Sequence, residues 1–403
     1  MDIRTDNPFW LMKSGFLEIY PSLKEDFSTD YAVIGGGITG ALIAWYLSQA
    51  GIDTAVFDRR HIGMGSTCAS TALLQYEIDT PLFQLKEMVG EKNAARSYQL
   101  CVESINALEK ISKKLKLAEF ERKPSFCYAS RKKDVPDQIE KEYKIRRKHG
   151  IDVEIWSEKD VTGRFSFAAP AALYSPKDAA QTDAYKLTHA LHQDSIKAGA
   201  KVFDKTEIAE IEPKKRGVVL KTKNGFEIKA KKLIIACGYE SVNYLPFHIV
   251  RLHSTFALAG EPFGKKELWY KNALIWETAR PYLYMRVTSD NRIIVGGKDE
   301  PFQSPTKRDR LLNRKTREIV DSFKRKFPGI DLIPDYTWAG TFAETEDGLP
   351  YIGSIKQLPH TIFALGFGGN GITFSQIAAE IIRDEAIGKK NRDAQIFSFE
   401  RAS

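Results

Sequence analysis

The stretch 30–35, DYAVIG, is almost wholly apolar and runs into a glycine-rich turn. Apolar residues then recur at helical spacing from Ile38 to Gln49, and a second short apolar run, TAVFD, follows at 54–58. A short unbroken apolar run reads as a strand covered on both faces, and the i, i+3, i+4 recurrence reads as a helix. Strand, helix, strand in that order predicts a βαβ unit. A helix-period stretch at 187–198 precedes a strand at 201–203, a hairpin-like pair (EIAEIEP and GVVLKT, with KNGFEIK after them) and a strand at 232–237 that ends at Gly238. Near the end, a strand at 361–365 and a glycine cluster lead into an apolar-periodic helix at 372–387. Between these units lie a polar, helical stretch from 85 to 150 and a stretch from 250 to 297 that alternates like strands and is rich in aromatic and β-branched residues. No fixed-period repeat or linker separates the parts, so the expected domains interleave: 25–84, 151–245 and 337–395 in one, 85–150 and 246–336 in the other.

The chain of 403 residues is long enough for two or three domains, and 43% hydrophobic with 28% charged residues describes a folded globular protein. A net charge of +8 arises from 60 basic against 52 acidic residues, a weak excess that predicts no nucleic-acid partner. The basic run Arg146 to Lys148 reads as the wet face of a helix. Cys68, Cys101, Cys127 and Cys237 lie far apart without a CxxC pair, which predicts neither a metal site nor a disulfide framework and fits reduced thiols in a cytoplasm. The N-terminus, MDIRTDNPFWLMKSGF, lacks the apolar stretch of a signal peptide, and no segment approaches the ~20 apolar residues of a membrane span. His189 and His192 share a helix face without further ligands, so no metal is expected there either.

Gly35, Gly37 and Gly40 in GGGITG stand between an apolar strand and a helix, and Asp58 ends the next strand. Together these make a dinucleotide fingerprint. Gly35 permits the tight turn, Gly37 lets the backbone approach a pyrophosphate, and Gly40 lets the helix pack on the strand. Ile38 and Thr39 open the helix, whose N-terminus presents about half a positive charge to the phosphates. Asp58 is placed to accept hydrogen bonds from the adenosine ribose, with Arg59 beside it.

The fingerprint alone leaves the choice between FAD and NAD open. After Asp58 the chain reads RRHIGMGSTCASTALLQYEIDTP, which resembles the flavin-lining segment of the D-amino acid oxidase, glycine oxidase and sarcosine oxidase (DAO) family of FAD enzymes. Three more segments resemble that family in order: KVFDKTEIAEI, IIACG, and DGLPYIG followed by GFGGNGITFS. The resemblance implies an α/β, Rossmann-like FAD-binding domain of the glutathione-reductase type, joined to an α+β substrate domain built on an antiparallel sheet. It implies hydroxyls from Ser66, Thr67, Ser70 and Thr71, and Leu73, Leu74 and Gln75 along the isoalloxazine. Glu207 and Ile208 would lie on the adenine side, with Ala236, Cys237 and Gly238 at the end of the following strand. Gly366, Gly368, Gly369, Asn370, Gly371, Ile372 and Thr373 would form a helix start aimed at the flavin's pyrimidine edge. Ala72 stands where the family commonly has glycine. Ala69 stands where covalent members have a histidine, and no cysteine lies in the C-terminal motif, so the FAD is expected to be non-covalent. Cys68 reads as a packed thiol rather than a catalytic one.

The strand pair ARPYLYMRVTSDNRIIVGG resembles the family's substrate-domain strand, in which Arg286 matches an arginine that faces the flavin. Its planar fork suits a substrate carboxylate, or else it makes a structural ion pair. Tyr282 and Tyr284 alternate onto its face, to wall a pocket or pack within it. His253 falls in a segment that passes near the flavin, and reads either as a stabiliser of negative charge there or as an ordinary buried histidine. The implied activity is FAD-dependent oxidation of a small amine or amino acid: hydride to the flavin, an imine, then hydrolysis, with electrons passed to oxygen or another acceptor. The readings it competes with are a dehydrogenase of a 2-hydroxy acid or polyol phosphate on the same scaffold, and a non-catalytic flavin-binding protein.

Overall fold

The computed structural model describes residues 2–264 and 267–402. Two sheets carry the fold. The first has eight strands, and its central order is 351–353, 361–365, 227–235, 27–34, 54–57, 201–203. Tyr31 to Ile34 lie parallel to Thr54 to Phe57 on one side and to Lys232 to Ile235 on the other. All four residues of Thr54–Phe57 are buried, as befits a parallel strand with helices over both faces. The helix Ile38–Gln49 has buried residues around almost its whole circumference, because it is sandwiched between the helices Ala184–Lys197 and Gly371–Ala386.

The expected strands KNGFEIK and 232–237 are one strand, Glu227–Ile235. Its first half pairs antiparallel with Gly217–Thr222, and its second half pairs parallel with Thr361–Leu365 on the same side. The hairpin Ile208–Lys214 and Gly217–Thr222 thereby extends the sheet beyond the parallel core.

The second sheet has nine strands in the order 334–344, 251–260, 293–300, 283–287, 274–277, 121–128, 171–181, 73–74, with 154–157 alongside 171–181. All its pairings are antiparallel except Leu274–Glu277 with Glu121–Tyr128. The helix Pro305–Lys326 lies against it. The stretch expected to be helical from 85 to 150 is so only in part: Glu91–Lys114 and Glu140–Lys148 are helices, but Glu121–Tyr128 is a strand. The core there needed β residues, and SFCY supplies four buried positions in a row.

Sheet membership divides the chain differently from the expected segments. Leu73–Leu74, Glu154–Ser157, Ala171–Gln181 and the strand Pro334–Glu344 all belong to the second sheet. Edge pairing explains this: Ala171–Gln181 zips along Glu121–Tyr128, and Pro334–Glu344 along Arg251–Gly260. Each is nearer in sequence to a first-sheet element than to its partner. Among the described residues, no helix is long and apolar enough to cross a membrane, and no group of His, Cys, Asp and Glu is arranged to hold a metal ion.

Candidate active site

A trough runs from the C-terminal ends of the parallel strands to the inner face of the second sheet. Two cavities make it up, and Ile3, Ile38, Thr39, Ser66, Thr67 and Gly238 line both.

At the first end lie Gly35, Gly37, Asp58, Arg59, Glu207, Ile208, Ala236 and Cys237. Gly35 has a φ of +110°, and a Cβ there would stand 2.5 Å from the Ala236 carbonyl oxygen. A Cβ on Gly37 would meet Thr67 Oγ1 at 2.8 Å, and one on Gly40 would meet the Gly35 oxygen at 1.8 Å. The turn therefore admits only glycine at these points, and it leaves the backbone bare toward the cavity. Gly37, before the helix, has no side chain to cap it; Ile38 N–H donates to Thr67 Oγ1 at 3.0 Å. Asp58 is fixed by the N–H groups of Gly36 at 2.7 Å and Arg60 at 2.8 Å. Burial holds its carboxyl above the usual range, and those two donors oppose the shift. Arg59 and Arg60 both pair with Glu240 at the rim.

The second end is lined by Ser66, Thr67, Ser70, Thr71, Leu73, Gln75, Gly366, Gly368, Gly369, Gly371 and Ile372, with Tyr282 and Tyr284 on the opposite wall. Gln75 Nε2 is buried without a hydrogen-bond partner, a donor left for a bound group. Asn370, the residue before the helix Gly371–Ala386, turns its amide away from the helix to donate to the carbonyls of Gln75 at 3.0 Å and Glu77 at 2.8 Å. The helix start is thus uncapped and faces the cavity, where it favours negative charge. Bare glycine backbone and a helix start at one end, an orphan amide and a second helix start at the other, fit an elongated dinucleotide with a flat ring system. The donor set fits FAD.

The wall of this second end is a loop pinned at three carbonyls. Trp338 Nε1 donates to Ala69 O at 2.8 Å, Trp10 Nε1 to Ser70 O at 2.6 Å, and Arg286 Nη1 to Ala72 O at 2.9 Å. Ala72 takes a left-handed φ of +53°, a conformation that glycine adopts without strain. Arg286 is fully buried, also donates to Thr182 O at 3.0 Å, and lies 5.2 Å from the Trp10 ring centroid. Burial lowers its guanidinium to about 10. It sits behind the 66–75 loop and does not line the cavity, so it is out of reach of a substrate carboxylate there. The parity argument chose the right face of the strand; the Ala72 carbonyl intercepts the side chain.

His253 likewise shares the face but not the cavity: its ring stacks on Phe342 at 5.3 Å, and its Nε2 is 3.5 Å from Glu344 Oε2. Gly40, Leu74, Asn370 and Thr373 also stand outside the lining. Leu74 is core, and Thr373 Oγ1 reaches the Gln75 carbonyl at 3.4 Å. Cys68 is buried against the Gly65 carbonyl at 3.3 Å, and burial pushes its thiol up to about 11.

Sequence reasoning did not name Ile3, Tyr239, Thr255, Asp299, Trp338 or Phe342, all of which line the flavin end. The VGG of the strand Ile293–Glu300 carried one signal: a Cβ on Gly296 would stand 2.4 Å from the Tyr284 ring. That glycine makes room for a large side chain on the cavity face.

A family model described as FAD dependent oxidoreductase (DAO) matches residues 30–385. The chain belongs to this family and is an FAD-dependent oxidoreductase. It is 25% identical over 383 residues to a glycine oxidase of Geobacillus kaustophilus, covering 88% of this chain and 92% of that protein. It is 21% identical over 383 residues to the gamma-glutamylputrescine oxidoreductase of Escherichia coli, covering 93% and 87%. In three dimensions it superposes on the L-proline dehydrogenase of P. horikoshii with a TM-score of 0.80, at 21% identity, over 94% of this chain and 99% of that one.

Proposed function

We propose that this enzyme oxidises the C–N bond of a small amine or amino acid. Bound in the trough, FAD supplies the hydride acceptor. The observation that carries the reading is the part of the cavity where the second sheet faces the flavin end, walled by Tyr282, Tyr284, Thr255 and Phe342. It offers room for a substrate carbon over the ring and includes no Ser-His or Cys-His pair. Proteins similar to this one are named for glycine, gamma-glutamylputrescine and L-proline, each of which carries an amine nitrogen.

The chain's own part is placement and electrostatics. Asp58 would hold the ribose, and the start of the helix Ile38–Gln49 would meet the pyrophosphate. The Gly371 helix start and Gln75 Nε2 would supply donors to the ring system. The pinned 66–72 loop would form the wall against which the ring is held. No histidine or cysteine lies among the described residues lining the flavin end, which supports non-covalent FAD. Electrons then pass to oxygen or another acceptor; the relatives include both an oxidase and a dehydrogenase.

Anaerobic mixing of the purified protein with amines, N-methyl amino acids, amino acids and 2-hydroxy acids tests the reading. Amine-bearing compounds are expected to bleach the flavin and hydroxy acids to leave it yellow. Bleaching by hydroxy acids alone would overturn it in favour of C–O oxidation, and an adequate panel without effect would leave a binding protein. Acid precipitation is expected to release FAD into the supernatant; yellow colour kept in the pellet would contradict non-covalent attachment.

A further inference from the structure

Among the described residues lining the flavin-end cavity, Asp299 is the one that carries a charge. No lysine, arginine or histidine is among them. A pocket built to grip a carboxylate would show a basic group here, and the arginine expected for that task holds a loop carbonyl instead.

How Asp299 reaches the cavity is a matter of one inserted residue. Along the strands Arg251–Gly260 and Ile293–Glu300, Ala257 opposes Gly296 and Phe256 opposes Gly297, but Ser254 opposes Glu300. The extra residue forms a bulge at Lys298, whose φ is +60°. Regular alternation would send 299 to the far face; the bulge returns it to the face of Gly296 and Tyr284. There Asp299 bonds to Thr255, itself on the cavity wall. Its other oxygen, Oδ1, is shut off from solvent and has no hydrogen-bond partner in the protein.

The surroundings add negative field. Asp79 and Glu344 act on Asp299 from the neighbouring loop and strand, opposed by Arg280 at the exposed rim. Asp79 is itself held by the Tyr282 hydroxyl at 3.0 Å and the Gly369 N–H at 2.8 Å, and Arg280 Nη2 donates to the Asp79 backbone oxygen at 2.6 Å. Arg251 and His253 balance Glu344 on its own side. Tyr282 and Tyr284 stand with ring centroids 5.7 Å apart on the same wall, and the Arg280 guanidinium lies 4.7 Å from the Tyr282 centroid.

We propose that the cavity takes a substrate bearing a cationic nitrogen and no carboxylate on its reacting carbon, such as an alkylamine, diamine or polyamine derivative, with the Asp299 carboxylate as the acceptor that faces it. The proposal rests on the amine-oxidation reading and narrows it. Burial, the Asp79 and Glu344 charges push the Asp299 carboxyl up to about 6, against the Thr255 bond and Arg280. It is therefore ionised at neutral pH and loses its charge on mild acidification.

The test titrates the FAD-loaded enzyme with n-butylguanidinium, a cation that is not an amine substrate, and with pentanoate, an anion of similar length, reading the visible flavin spectrum. Butylguanidinium is expected to perturb the spectrum saturably and pentanoate is not. The affinity for the cation should rise as pH is raised through about 6, and Asp299→Asn should weaken it about tenfold to a hundredfold, the worth of a hydrogen bond to a charged group. Asp299→Glu should retain part of the affinity. Binding of pentanoate but not of butylguanidinium would overturn the proposal, as would an unchanged cation affinity in an Asp299→Asn protein that keeps its FAD. The comparison of the two ions on the unmodified enzyme stands even if the variants fail to fold. Failure here is separable from failure of C–N oxidation: glycine or proline bleaching the flavin without cation binding would leave that reading intact. Cation binding without bleaching by any amine would do the reverse.

Discussion

Ala72 and Arg286 act as a pair. An alanine at φ +53° costs about 1–2 kcal/mol relative to the right-handed conformation, and the hydrogen bond from Arg286 at 2.9 Å holds its carbonyl in place. Ala72→Gly is expected to stabilise the protein by about 0.5–1 kcal/mol, the relief of strain exceeding the added chain entropy; a thermal melt reads it. Arg286→Met leaves buried carbonyls without their donor and is expected to lose about 1–3 kcal/mol and to loosen FAD. A variant that kept its FAD and melting point but lost carboxylate-bearing substrates alone would contradict that role. His189 and His192 give a pH signature. Burial lowers them to about 4 and about 3, with His192 Nε2 donating to the Gly36 carbonyl at 3.1 Å. Both folded values lie below the ordinary histidine value, so the unfolded chain takes up protons that the folded one refuses. Their contribution to stability is complete above pH ~6.5 and is lost as pH falls toward about 4. Asp58 and Glu77, raised by burial, have the opposite sign and titrate from the ordinary carboxylate range upward. A double His→Gln variant should show a shallower fall in melting temperature between about pH 7 and 5.

At the scale of elements, the loop 66–72 shows what local pattern reveals and what it hides. Its hydroxyls were assigned to the cofactor through the family resemblance of the segment after Asp58, and Ser66, Thr67, Ser70 and Thr71 do line the cavity. The tryptophans that hold it come from positions 10 and 338, and nothing in the neighbouring residues of either announces the contact. Trp10→Phe keeps an aromatic ring beside Arg286 but removes the donor to Ser70 O together with part of the buried ring. It is expected to weaken FAD retention about fivefold, the worth of ~1 kcal/mol, measured by equilibrium dialysis. Asp299 was illegible for a related reason: strand parity assigns it to the far face, and only the bulge at Lys298 reverses that. The glycine cluster at 366–371 was read correctly as a helix start without a second βαβ unit, since the helix Gly371–Ala386 is followed only by short 3-10 turns.

On the scale of the whole molecule, the first βαβ unit followed from two periodicities and one fingerprint and the rest of the fold class from the family resemblance, whereas the partition of the chain between the sheets followed from neither. Strands 171–181 and 334–344 join the second sheet through edges formed far away in sequence, and pairing between distant edges leaves no local trace. The consequence is functional, because the two sheets meet at the trough and each supplies one wall of the flavin end. The measurement that bears most directly on C–N oxidation there is anaerobic, single-turnover reduction of the bound flavin by a small alkylamine, by the same amine deuterated on the carbon next to nitrogen, and by the matching alcohol. The amine should bleach the flavin, its deuterated form should do so more slowly, and the alcohol should have no effect. Bleaching by the alcohol with none by the amine would contradict the account.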